Sequence, residues 1–263
     1  MLKVALLNQN EEVIKEISGK DNLWLGYKGE YEDDYIIRLS SDENLNYLAI
    51  KFDVTKEETF IYIPKKSWDY IIKLYPQRSA FPSTMFRAWR NCISVRYMTC
   101  EEINSYRNLA LNTHDQTFDS GAYPHASANV ETRNESTFFA LNAIDGMLAN
   151  DDHGAYPFQS WGINKDPNAC LTLNFGRKVK IDKLGFVLRG DYPHDSYWTQ
   201  GTVTFSDGSK EILKFEKLLT EQQFSIEERE IEWLKFDELI KAEDDSPFPA
   251  LTQIMVYGVE IEK

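Results

Sequence analysis

Ala169-Cys170-Leu171-Thr172-Leu173-Asn174-Phe175 places an apolar side chain at every second position, and Gly176-Arg177 separates it from a second apolar run over residues 179–188. Successive side chains of a strand point to opposite faces, so a period of two marks a half-buried strand. The stretch predicts two strands joined by a turn at Gly176-Arg177. Downstream, residues 202–205, the turn Ser206-Asp207-Gly208-Ser209 and residues 210–215 predict a hairpin with Asp-Gly at the favoured turn position. Residues 223–226, 230–236 and 251–261 supply further strands, and 126–130 a short one upstream. Many short strands with turn residues between them predict an all-β, antiparallel β-sandwich.

Residues 1–97 carry the same signs. Runs at 2–7 and 12–17 predict an opening hairpin around Asn8-Gln9-Asn10, and aromatic and β-branched runs at 35–39, 47–52, 58–63, 68–75 and 93–97 predict more strands. Pro64 and Pro76 end two of them, because proline cannot donate to a ladder. Thr99, followed three residues later by Glu102, has capping-box spacing for a short helix. The polar stretch 116–124 reads as a linker, dividing the chain into a smaller N-terminal β-sandwich over 1–115 and a second sandwich over 125–263.

The 263 residues hold 42 Asp and Glu against 29 Lys and Arg, a formal net charge of −13. Such a field repels nucleic-acid phosphates and anionic lipid head groups unless a basic patch reverses it, and the Lys and Arg residues are scattered. No nucleic-acid partner is expected, and no membrane insertion, since no apolar run reaches transmembrane length. The apolar start of the chain is too short for a signal peptide before Asn10-Glu11-Glu12, so a cytoplasmic location is expected. Cys92, Cys100 and Cys170 are odd in number and share no pair spacing, which reads as buried free thiols.

Arg189-Gly190-Asp191-Tyr192-Pro193-His194-Asp195-Ser196-Tyr197-Trp198 is far richer in rings and charges than a turn requires. Together with Tyr123-Pro124-His125, Asp152-His153 and Gln159-Ser160-Trp161 it suggests a composite ligand-reading surface. Sugar recognition needs flat aromatic faces and planar polar groups for paired hydroxyls. Trp161, Tyr192, Tyr197 and Trp198 are candidates for the first, and Gln159, Arg189, Asp191, His194 and Asp195 for the second, with His125 and His153 beside them. Each also has a structural reading: Trp161 as core, Arg189 as a brace against Asp191 or Asp195. A hydrolase or lyase acting on a sugar or polyol, with His194, His125 and Arg189 at its centre and a metal if the histidines converge, is the rival reading. No two histidines lie at zinc-motif spacing, and the chain has no Gly-rich phosphate loop, nucleophile elbow or His-Glu-x-x-His. A protein-interaction sandwich without a small ligand is the third.

Asn142-Ala143-Ile144-Asp145-Gly146, Ser160-Trp161, the strands at 171–175 and 179–184, Thr204-Phe205-Ser206-Asp207-Gly208-Ser209 and Ile254-Met255-Val256-Tyr257-Gly258-Val259-Glu260 form an ordered series. In order and spacing, over residues 125–263, it resembles the galactose-binding-like jelly rolls: discoidin domains, coagulation-factor C-type domains and family 32 carbohydrate-binding modules. The resemblance implies an antiparallel jelly-roll β-sandwich, here preceded by a second, smaller β-sandwich, that binds a carbohydrate through loops at one end without catalysis. It also implies a structural calcium ion on the Asp145 carboxylate, the main-chain carbonyls of Asn142 and Met147, Asn150 and Glu260. Asn150 stands where the family usually has a hydroxyl residue.

Overall fold

The computed structural model describes residues 1–190 and 196–261. The N-terminal strands are β1 (Leu2–Leu7), β2 (Val13–Gly19), β3 (Leu23–Lys28), β4 (Ile36–Ser40), β5 (Asn46–Lys51), β6 (Thr59–Ile63), β7 (Ser67–Ile71) and β8 (Arg90–Tyr97). They form two antiparallel four-stranded sheets, ordered β2-β1-β4-β7 and β3-β8-β5-β6. Leu2, Val4, Leu6, Ile37, Leu39 and Trp68 of the first share one core with Leu25, Leu48, Ile50, Ile61, Ile93 and Val95 of the second. The opening hairpin closes because Asn8 Oδ1 accepts the backbone N–H groups of Asn10 and Glu12 at 3.0 and 2.9 Å.

β3 was not among the predicted strands, although Leu23 and Leu25 point inward and Trp24 outward with strand period. Trp24 and the neighbouring polar residues obscure that alternation. β7 ends at Ile71, short of the predicted residue 75. Thr99 caps α1 (Cys100–Asn104) with both bonds of a capping box. The three thiols are free, but Cys92 and Cys100 are exposed rather than buried. No helix among the described residues is long and apolar enough to cross a membrane.

The second sheet system has eight strands: β9 (Arg107–Asn108), β10 (His125–Ala128), β11 (Trp161–Gly162), β12 (Leu171–Leu188), β13 (Trp198–Phe205), β14 (Lys210–Lys214), β15 (Gln222–Lys241) and β16 (Ala250–Glu260). Their inward residues close on a core that includes Leu171, Phe175, Ile181, Phe186, Trp198 and Phe236. Gly176-Arg177 is not a turn. β12 runs through it as a bulge, advancing from Asn174 to Val179 while β15 moves only from Trp233 to Ile231. Gly176 has φ +65°, and a Cβ there would lie 2.2 Å from the Tyr123 ring, so the position needs glycine for both conformation and space. The bulge also lets residues 171–174 lie between β10 and β15, and residues 179–188 between β15 and β16. Likewise, the two strands predicted at 223–226 and 230–236 are one strand with shifted register.

Contacts cross between the two cores. β9 pairs with β16, Leu109 and Ala110 enter the second core, and Leu141 enters the first. Tyr123, in the predicted linker, bridges to Tyr62.

Candidate functional site

The cleft nearest the predicted loops forms where β12 ends, β16 begins and β11 pairs alongside. Trp161 and Gly162 pair with Leu251 and Ala250, and the Arg189 N–H, one residue past β12, donates to the Ala250 carbonyl at 3.1 Å. This arrangement holds Arg189 beside the Pro247-Phe248-Pro249 segment, and its guanidinium donates to the Phe248 carbonyl. Arg189 is buried at the base of the cleft, while His153, Asn164 and Lys165 are exposed at its walls. The Asn164 N–H donates to Thr132 Oγ1 at 2.9 Å. Asn164 and Lys165 both have left-handed backbone, with φ of 49° and 62°, which turns the chain sharply after β11. Lys165 Nζ stands 4.5 Å from the centre of the Phe248 ring, itself 37% exposed.

None of the described residues lining the cleft is a carboxylate. Arg133, on its rim, pairs with Glu135 at 2.7 Å and lies over the Phe138 ring. The remaining groups are a guanidinium and an ammonium, which donate, and an amide and an imidazole, which can each donate and accept, beside one aromatic face.

Of the predicted ligand residues, the structure brings Arg189 and His153 to this cleft. Trp161 and Trp198 lie beneath it as core, 0% and 1% exposed, their ring centres 6.4 Å apart. Trp161 Nε1 donates to the Val130 carbonyl at 3.0 Å, and Trp198 packs edge-on against Phe236. Neither is an exposed platform: Trp198 faces the core together with Val203 and Phe205, five and seven positions on, because the β13–β15 ladder shifts register twice between them. Gln159 is buried and donates to Asp145 Oδ2 at 2.6 Å. His125 Nδ1 bonds to Asp115 Oδ1 at 2.9 Å, and Asp115 Oδ2 accepts the Ala126 N–H, so this histidine fastens β10. Burial lowers the His125 pKa, but the Asp115 hydrogen bond and charge outweigh it and leave it raised. Asp191, Tyr192, His194 and Asp195 lie outside the described residues. Arg133, Asn164, Lys165 and Phe248 were not foreseen; an aromatic between two prolines was the one available sequence sign of an exposed ring.

The predicted calcium ligands do not fit a cation. Gln253 Nε2 donates to the Asn142 carbonyl at 2.6 Å and to Asp145 Oδ1 at 2.7 Å, while its Oε1 accepts the Gly146 N–H at 3.0 Å. That last bond fixes the amide with its positive edge toward two of the expected ligands, where it would repel a metal ion. Burial pushes the Asp145 pKa up to about 6, against the opposing Gln159 hydrogen bond and Lys56 charge. The Met147 N–H donates to Asp145 Oδ1 at 2.8 Å. Asn150 Nδ2 instead donates to the Leu188 and Leu219 carbonyls, both at 2.8 Å, and its own carbonyl accepts from Gly190, steadying the chain around Arg189. Glu260 is held by Arg107 at 2.7 Å and by Arg177 Nε at 2.6 Å. Among the described residues no group of three or more His, Cys, Asp or Glu is placed to hold a metal.

No protein-family model and no curated protein matches the chain. Among solved structures it is similar to the family 32 CBM of C. perfringens NanJ in complex with galactose, at 18% identity over 50% of this chain and 91% of that one, TM-score 0.38. It is similar to a Streptococcus pneumoniae fucose binding module at 13% identity, over 58% of this chain and 98% of that one, TM-score 0.41. The lectin domain of Lectinolysin complexed with Lewis B antigen is 16% identical over 57% of this chain and 96% of that one, TM-score 0.42.

Proposed function

We propose that the protein binds a carbohydrate in the Arg189 cleft without cleaving it. The observation that carries this reading is the gathering of Arg189, His153, Asn164 and Lys165 around the partly exposed Phe248 ring. A ring face suits the C–H patch of a sugar, and donors at its edge suit the hydroxyl and ring oxygens. Glycosidic cleavage uses a pair of carboxylates flanking the bond, and the described lining supplies none. Arg189 is fixed by the Phe248 and Ala250 carbonyls, so little conformational freedom is lost when a ligand meets it.

A glycan array probed with the intact chain, then with Phe248→Ala and Lys165→Ala, tests the reading. Both side chains are exposed, so the fold should persist while affinity for the preferred glycan falls about tenfold in each. Unchanged binding in both variants, or no glycan bound by the parent, would overturn it.

A further inference from the structure

A second cleft lies against the N-terminal core, lined by Arg78, Phe81, Phe118, Phe139 and Leu141, with Gln77 beside the arginine. Arg78 is 9% exposed, and its guanidinium rests over the rings of Phe81 and Tyr70, 4.2 and 5.6 Å from their centres. Its Nε and Nη2 are buried without a hydrogen bond of good geometry, and the Tyr70 hydroxyl beside the guanidinium is the side-chain group that interacts with it. Nε–H and Nη2–H form one edge of the guanidinium fork, two parallel donors spaced for the two oxygens of a single oxyanion. An arginine cannot shed its charge to escape burial, so an unpaired guanidinium is costly until an anion reaches it.

The surrounding charge is mixed, with Asp115 in the lining and Asp53 and Asp145 near Lys56, but none of these acids pairs with Arg78. Lys56, 6% exposed, places its ammonium 3.4 Å from the centre of the same Phe81 ring. No described carboxylate forms an ion pair with either cation, in a chain of net charge −13. The nearby acids are committed elsewhere. Asp53 accepts from Thr55 and Phe86, Asp115 from His125, Gln116 and Ala126, and Asp145 from Gln159, Gln253 and Met147. The lining is mixed: Ile71, Phe81, Phe139 and Leu141 supply apolar walls, Asp115 and Lys73 are among its polar members, and Phe118, also lining the cleft, is 47% exposed.

We propose that this cleft is a second ligand site, separate from the Arg189 cleft, which binds a small carboxylate carrying a flat apolar body, its carboxylate paired two-fold with Arg78. The apolar part of the lining, Ile71, Phe81, Phe118, Phe139 and Leu141, favours such a molecule over a fully hydrated anion. Benzoate is the probe, with acetate and inorganic phosphate as comparisons, titrated into the intact protein by calorimetry and followed at the Arg78 Nε–H resonance. Saturable one-to-one binding of benzoate, about tenfold tighter than acetate or phosphate, with a downfield Arg78 Nε–H shift, is expected. Arg78→Lys, which keeps the charge but loses the fork, should weaken it about tenfold, and the surface variant Phe118→Ala should weaken it without disturbing the fold. Phosphate binding tighter than benzoate, benzoate affinity unchanged in both variants, or a soaked crystal showing only a water on Arg78 and Tyr70 would each overturn the proposal.

Discussion

The Glu260 cluster and the Arg189 cleft both gather cationic side chains, and they do opposite things with them. At Glu260, Arg107 and Arg177 converge on one carboxylate that is 2% exposed, with the Tyr47 hydroxyl adding a bond at 3.3 Å. The one carboxylate is shared by two guanidiniums, joining β9, β12 and β16 to Tyr47 of the N-terminal sheets. In the Arg189 cleft the described lining offers donors and a ring but no acid. The first arrangement closes on a buried carboxylate, whereas the second holds its guanidinium on a main-chain carbonyl, with no described carboxylate in its lining. In a protein this acidic, where carboxylates are withheld is as informative as where they are placed.

The comparison can be broken from either side. Glu260→Ala leaves two guanidiniums buried around a missing charge and should cost about 3–5 kcal/mol in urea denaturation, with the native secondary structure retained in water. A loss below about 1 kcal/mol would mean that the cluster is not a structural joint. Next to it, Gly176→Ala forces a Cβ into the Tyr123 ring at a left-handed position beside Arg177, with an expected loss of about 1–3 kcal/mol by the same assay.

Two histidines make the seam between the cores sensitive to pH in opposite directions. His114 Nε2 accepts the Phe52 N–H at 3.2 Å and its Nδ1 meets Thr113 Oγ1 at 2.8 Å, so it is held neutral. Burial, with the charges of Lys56 and Arg78 adding to it, holds its pKa well below the ordinary value of 6.5. The stability it confers is complete above the unfolded pKa and is lost as pH falls below about 6.5, by up to about 1.4 kcal/mol per pH unit. For His125 the folded pKa is raised, so its contribution is complete below about 6.5 and is lost as pH rises through the folded value. Thermal melts across pH should therefore show a maximum near 6.5, and His125→Gln should flatten the alkaline side alone.

The smallest expected stability change is on the open side of the comparison. Phe248→Ala should alter stability by no more than about 0.5 kcal/mol, because its ring is partly exposed and outside both cores. Carbohydrate affinity should fall about tenfold in the same variant, separating binding from folding.

Strand period made much of the fold legible. The alternation at 169–175, the Asp207-Gly208 hairpin and the Thr99 cap all form as their residues dictate. The bulge at Gly176 was misread because a glycine that turns the chain and one that bulges a strand look alike until the partner strand is known. The cleft was half legible: Arg189 and His153 stand out by type, but whether Trp198 faces solvent or core depends on a register that no local pattern fixes. Lys165 reaches Phe248 across a gap of more than eighty positions, a pairing that only the β11 and β16 register creates. For the same reason no local pattern shows Gln253, whose amide comes from a strand distant from the Asp145 turn and donates to that carboxylate.

The central claim is most directly tested by hydrogen exchange of the intact protein with and without the glycan it prefers on an array. Protection confined to residues 132–133, 162–165, 189 and 248–250 is the predicted result. Protection elsewhere with those segments unchanged would contradict the assignment of the carbohydrate site to the Arg189 cleft.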